Sequence, residues 1–298
     1  MENSKDILVK ASIEGVRIYV LTSRNLVQKA KDLHNTSHLA TAALGRAMSG
    51  ALLLAATMKE KERISITIDG DGPLGKIIVN AEDNHVRGYV EKPNIYLPLK
   101  NGKLDVGAGV GAGNIIVSRF RKDAEPFVGY SELVNGEIAS DITNYLYTSE
   151  QIPSSVALGV LVNKEGDVLD AGGIFIQAMP GVADDVLKNI ENKVLSMPYV
   201  TELLQSGFGP KDIIEKYGES LEVNILDTID ICFECTCSDE KVKNTLRALS
   251  IDDLIEMSKE GKTEIRCDYC NKTYTYSKED LLELVNEKKS NKSQKKVD

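Results

Sequence analysis

The sequence predicts an α+β protein: an N-terminal core of mixed sheet and helix, then a helical linker, then a small C-terminal cysteine-bearing α/β module. Three observations predict it. Over about residues 1–180, β-like runs come in meanders with helices between the groups. After "MPG" (179–181) the texture breaks into short amphipathic segments. All five cysteines of the 298-residue chain lie between positions 232 and 270.

The elements of the core follow in order. Residues 5–22 alternate into short β-like runs such as "GVRIYVLT". "LATAALGRAMSGALLLAATM" (39–58) reads as one long helix, long enough to span a bilayer. Arg46 sits near its middle, and alanines recur every four residues at Ala43, Ala47, Ala51 and Ala55. That is the pattern of a soluble helix packed closely against a neighbour. "RISITIDGDGPLGKIIVNAEDNHVRGYVE" then reads as strand, turn, strand, turn, strand. "GNIIVSRF", "SSVALGVLVN" and "GGIFIQAM" add strands, and "GEIASDITNYLYTSEQ" (136–151) has apolar positions at helical spacing.

Two glycine motifs carry no nucleotide chemistry. "GDGPLG" (70–75) fits G-x-G-x-x-G, but a strand follows it, where pyrophosphate binding needs a helix N-terminus. It is expected to be a hairpin turn. "GAGVGAG" (107–113) is likewise followed by a strand.

Residues 181–230 hold short amphipathic segments, "VADDVLKNIENKVLSM" and "PKDIIEKYG", broken by Pro198, Gly207, Gly209, Pro210 and Gly218. Helices this short depend on docking against a neighbour, and the cysteine module is the expected one. The expected divisions are therefore a core over 1–180, a metastable helical linker over 181–230, a cysteine module over 231–287 and a disordered basic tail over 288–298.

Composition bounds the function. Hydrophobic residues are 42% and charged residues 27%, with no Trp and 5% aromatics, so aliphatic packing dominates the core. The last eleven residues carry five Lys against one Asp, so the net charge of −9 rests on a body of −13. Such a body repels nucleic acid and anionic lipid, and neither is expected as a partner. The N-terminus lacks a basic-then-apolar signal pattern, which places the chain in the reducing cytoplasm, where structural disulfides are rare. Three histidines, His34, His38 and His85, are too few for much acid–base chemistry, and no nucleophile–base grouping is visible. The chain is not expected to be an enzyme.

Cys235 and Cys237 form C-x-C, and Cys267 and Cys270 form C-x-x-C. A C-x-x-C knuckle aims two thiolates at one metal within a tight turn. A second pair completes a tetrahedral S₄ site, which suits zinc, one ion per chain. Between the pairs, Ser238 can cap a helix starting "DEKVKNTLRAL", and Ser250 with Asp253 offers a capping box for "IDDLIEMSKEG", closed by Gly261. Ser277 with Asp280 opens a last helix. The 57 residues of 231–287 are too few for their core alone to supply more than about 3–5 kcal/mol. Structural zinc contributes roughly 10–16 kcal/mol in small modules, so metal loss is expected to unfold this one. Four coordinating thiolates are also what oxidants attack, and oxidation in pairs would release the metal. Two other readings fit a cysteine module: a thiol–disulfide oxidoreductase and a zinc-ribbon nucleic-acid binder. The second is disfavoured by 13 acidic against 8 basic side chains over 231–287.

C-x-C, then about thirty residues, then C-x-x-C near the C-terminus resembles the 33-kDa heat-shock family of redox-regulated molecular chaperones. "LGRAMSGALLLAATMK", "GDGPLGKIIVNAE", "GYVEKP" and "VGAGVGAG" are similar to that family's segments. The resemblance implies an ATP-independent holdase, inactive while reduced and zinc-bound, that protects unfolding client proteins under oxidative and heat stress. Activation would release zinc, form disulfides and unfold the linker, and the active form would be a homodimer. Cys235, Cys237, Cys267 and Cys270 match the family's zinc ligands, with Cys235–Cys237 and Cys267–Cys270 as its redox disulfides. Cys232 departs from the pattern: with Cys235 it makes an alternative C-x-x-C. It is read as a partly buried strand thiol.

Overall fold

Two apolar-alternating runs, β1 (Ile7–Ile13) and β2 (Val16–Thr22), fold back on each other through Glu14 and Gly15. Both turn residues are left-handed, at φ +44° and +87°, the conformation that matches the twist of a two-residue hairpin. The computed structural model describes residues 5–58, 62–121, 124–219 and 221–294, the last five as backbone. After the hairpin come α1 (Arg24–His34) and α2 (His38–Ala55). A meander follows, of β3 (Arg63–Gly70), β4 (Ile77–Glu82) and β5 (His85–Val90). Next are α3 (Val106–Val110), β6 (Gly113–Phe120), β7 (Phe127–Glu132) and α4 (Ala139–Thr148). The long hairpin β8 (Ser154–Val162) and β9 (Val168–Ala178) leads to α5 (Asp184–Ser196), α6 (Val200–Gln205) and α7 (Pro210–Tyr217). Then come β10 (Val223–Asp230) and the short β11 (Cys232–Phe233).

These strands make two sheets, ordered β10-β1-β2-β9-β8 and β11-β5-β4-β3-β6-β7. The α+β class expected from sequence holds. The helix α2 lies in the core shared by both sheets, with 16 of its 18 residues buried. It is long and apolar enough to cross a membrane, yet 89% of that window is buried within the protein. Its small residues are what let the layers close on it. A Cβ at Gly50 would sit 2.5 Å from Ile142 Cδ1, and one at Gly45 would sit 2.8 Å from Val27. "GDGPLG" is the β3–β4 hairpin turn, as expected. "GAGVGAG" holds the short helix α3 before its strand.

Among the elements not legible from sequence are β7 and α1. The strand β7 is mostly exposed, so its apolar residues do not alternate in a way that marks a buried face. The helix α1 lacks a local start signal, because the Ser23 hydroxyl is engaged with Ser49, 2.8 Å away. Its first-turn amides are instead capped by a residue distant in sequence: the Asp6 carboxylate accepts from Asn25 N at 3.1 Å and Leu26 N at 2.7 Å.

The segment 181–230 departs from expectation in two ways. It is not helical throughout, since 223–230 forms β10 and pairs antiparallel with β1. Its helices also dock on the first unit's own sheet. Val186, Ile190, Leu203, Ile213 and Tyr217 pack in one cluster with Val9, Ile18, Val20 and Ile174, on the face of the first sheet away from α2.

The chain divides into two compact units, one running through Glu234 and the other starting at Cys235. The boundary thus falls after residues 231–234, which were expected in the cysteine module. Ile231 and Phe233 are buried in the first unit's core, and β11 pairs in parallel with β5.

The second unit contains α8 (Asp239–Ala248), α9 (Ile251–Lys259), the antiparallel hairpin β12 (Lys262–Arg266) and β13 (Thr273–Ser277), and α10 (Lys278–Gln294). The expected caps are in place. Ser238 accepts from Lys241 N, Ser250 and Asp253 form a capping box, and Gly261 ends α9 at φ +78°. Ser277 accepts from Asp280 N, and Asp280 accepts in return from Ser277 N. The basic tail differs from expectation: α10 continues through Gln294, so residues 288–294 are helical. Residues 295–298 lie outside the described residues.

Candidate metal centre

The hairpin β12–β13 positions one half of the centre. Cys267 follows β12 directly, and its N–H donates to Lys272 O at 2.9 Å, closing the hairpin end. Its carbonyl accepts from Asn271 N at 2.8 Å and Cys270 N at 3.4 Å, and Asn271 is left-handed at φ +59°. This tight turn brings Cys267 and Cys270 to one side of the knuckle. The other half is a segment without regular secondary structure ahead of α8. It brings Cys235 and Cys237 to the same site.

All four sulfurs lie within 4.8 Å of one another. Cys235 Sγ is 3.8 Å from Cys267 Sγ, and Cys237 Sγ is 3.4 Å from Cys270 Sγ. A tetrahedron with metal–sulfur bonds of about 2.3 Å has edges of about 3.8 Å, so these four side chains fit a tetrahedral S₄ ion. Each is half-buried. Among the described residues this is the group of Cys, His, Asp or Glu side chains that converges as a metal site.

Without metal, the thiols differ. Burial pushes Cys237 up, but hydrogen bonds from Tyr274, Cys270, Cys235 and Cys267 outweigh it and bring its pKa down to about 7. Burial, followed by the neighbouring sulfurs, pushes Cys270 up to about 12 against a backbone hydrogen bond at Lys272. Cys267 is also raised, by burial first. A divalent ion among them would favour all four thiolates.

Cys232 stands apart. It is exposed on β11, in register with His85 of β5, and belongs to the first unit. Partial desolvation and then the Glu234 carboxylate raise its pKa. The histidines do not join the centre: His34 ends α1, and His38 starts α2 with Nε2 at 3.2 Å from Lys164 O. Sequence reasoning missed Tyr274, whose hydroxyl donates to Cys237 Sγ at 3.2 Å. The alternation in "TYTYS" was the available signal, since it puts Tyr274 and Tyr276 on one face of β13, and both are buried.

The family pattern described as Hsp33 protein matches residues 6–277. The chain belongs to the Hsp33 family. Among relatives, the "33 kDa chaperonin" of Desulforamulus reducens is 41% identical over 286 residues, covering 94% of this chain and 97% of that protein. The "33 kDa chaperonin" of Acetivibrio thermocellus is 41% identical, covering 97% of this chain and 100% of that protein. The crystal structure of the 33 kDa chaperonin (heat shock protein 33 homolog) from Thermotoga maritima is similar with a TM-score of 0.88. It shares 36% identity and covers 96% of this chain and 99% of that one. This Hsp33 family member is thus similar to chaperones along both of its units, and its cysteine cluster is compatible with a metal and redox centre.

Proposed function

We propose that this chaperone is an ATP-independent holdase switched by oxidation in the cytoplasm. Cys235, Cys237, Cys267 and Cys270 hold one zinc per chain in the reduced, inactive state. Oxidation forms the Cys235–Cys237 and Cys267–Cys270 disulfides, releases zinc and leads to unfolding of the linker. The exposed surface then holds unfolding client proteins, and the oxidised form works as a homodimer, without enzymatic turnover and without nucleic acid or membrane as partner.

The observation that carries this reading is the convergence of four sulfurs in a unit with seven buried hydrophobic residues of its own among those described. A core that small leaves the fold dependent on the ion, which supplies cross-linking of the four thiolates when bound. The linker helices supply the second part of the argument. Their apolar face covers one side of the first sheet, so releasing them would uncover a continuous aliphatic surface suited to unfolded chains. The four sulfurs also face one another, which disfavours a dithiol oxidoreductase presenting a single exposed nucleophile.

The test follows zinc release and aggregation of an unrelated client together, in hydrogen peroxide with mild heating. The expected result is one zinc released per chain and aggregation suppressed. Zinc loss with aggregation unaffected would sink the holdase reading.

A further inference from the structure

Tyr274 touches a sulfur of the centre without being a ligand candidate. Its hydroxyl donates to Cys237 Sγ at 3.2 Å, and its ring is held in the second unit's core at 7% exposure. The Cys237 side chain packs against that same core. The Lys272 ammonium lies 4.9 Å from the Tyr274 ring centroid, and the strand β13 fixes the backbone beneath it. The phenol is therefore preorganised towards one sulfur.

We propose that Tyr274 is a positioning residue that slows oxidation of the centre by hydrogen bonding the Cys237 sulfur. The inference rests on the redox reading above and adds a rate-setting residue to it. In the oxidation step, a cysteine thiolate attacks one oxygen of a hydroperoxide. The O–O bond breaks, an S–O bond forms and hydroxide leaves. A second thiolate then attacks the sulfenic sulfur, forming S–S and releasing a second hydroxide. Two thiolates lose two electrons in all, and the peroxide gains them. The attacking sulfur must offer a lone pair. A phenolic O–H donated into that lone pair lowers its energy and its nucleophilicity, and hydrogen bonds to charged sulfur are stronger than neutral ones.

The experiment uses the reduced, zinc-loaded full chain and its Tyr274→Phe variant, which keeps the buried ring and removes only the hydroxyl. Zinc release in excess hydrogen peroxide is followed with a chromophoric chelator. Tyr274→Phe is expected to bind the same one zinc and to release it about threefold to tenfold faster, the range a single hydrogen bond allows. With cobalt(II) as the probe metal, its sulfur-to-metal charge-transfer band moves to longer wavelength, because the freed lone pair lies higher in energy. Tyr276→Phe is the control, since that hydroxyl donates to Asp239 at 2.9 Å instead, and its release rate stays at the parent value. Equal rates for Tyr274→Phe and the parent overturn the assignment. So does faster release with an unmoved cobalt band, or an equal acceleration in Tyr276→Phe. A parent chain that takes up no metal, or keeps it in peroxide, defeats the redox reading itself.

Discussion

Asp6 is 4% exposed against the first turn of α1. Burial lifts its pKa from 3.8 to about 6, although the N–H groups of Leu26 and Asn25 act the other way. A carboxyl whose folded pKa exceeds its unfolded one binds its proton more tightly in the fold. Its favourable contribution is complete below about pH 4 and is lost as pH rises through about 6. Roughly two pK units correspond to at most ~3 kcal/mol. In urea unfolding, the stability of the parent relative to Asp6→Asn is expected to fall by up to ~3 kcal/mol between pH 4 and pH 7. A difference that does not vary with pH would contradict this. A second residue-scale prediction concerns Cys232, which lies in the first unit: Cys232→Ser should retain one zinc per chain by metal analysis, and loss of the metal would mean that a different pair binds it. Four cysteines were legible because C-x-C and knuckled C-x-x-C are short local pairs. Cys232 with Cys235 made an equally good local pair, and what separates them is the burial of Ile231 and Phe233 in another core.

At the scale of elements, the linker helices are held by side chains such as Ile213, fully buried between α7 and the first sheet. A carboxylate there cannot be buried unpaired, so Ile213→Glu should detach α7 and uncover the aliphatic face beneath it. The reduced, metal-loaded variant is expected to bind a hydrophobic dye and suppress client aggregation without oxidant, with its zinc retained. A variant that stays dark and inactive would mean that this face is not the client surface. The linker helices themselves were legible from their apolar spacing and their Gly and Pro breaks. Their docking partner was not, because amphipathicity says only that a face is covered. The strand β10 was hidden for a related reason: only Val223 and Ile229 of its eight residues are even half-buried, so no alternation marks it.

For the whole molecule, the two units have separate cores. Among the described residues, the clusters of the first unit hold none beyond Phe233, and the cluster of the second holds none before Cys237. Stripping the metal with a chelator under reducing conditions should therefore abolish hydrogen-exchange protection over 239–285 while leaving that of α2, β2 and β9 intact. Loss of protection in α2, β2 and β9 along with the second unit would contradict this independence. The α+β class and the existence of a small cysteine-bearing unit were readable from chain texture and cysteine placement. The boundary was not, because it depends on which core receives the two apolar residues flanking position 232, Ile231 and Phe233.

That boundary has a further consequence. The Phe233 ring is buried and its carbonyl accepts from Lys29 Nζ at 3.0 Å, so the chain is anchored two residues before the first sulfur of the centre. If the second unit opens, all four cysteines remain on a leash about 36 residues long, with a root-mean-square reach of roughly 35 Å. Thiols so tethered stay at an effective concentration of about a millimolar to one another. Under the proposed redox reading, reassembly after reduction would be an intramolecular search from a fixed root, and the sulfurs would not have to find each other in bulk solution.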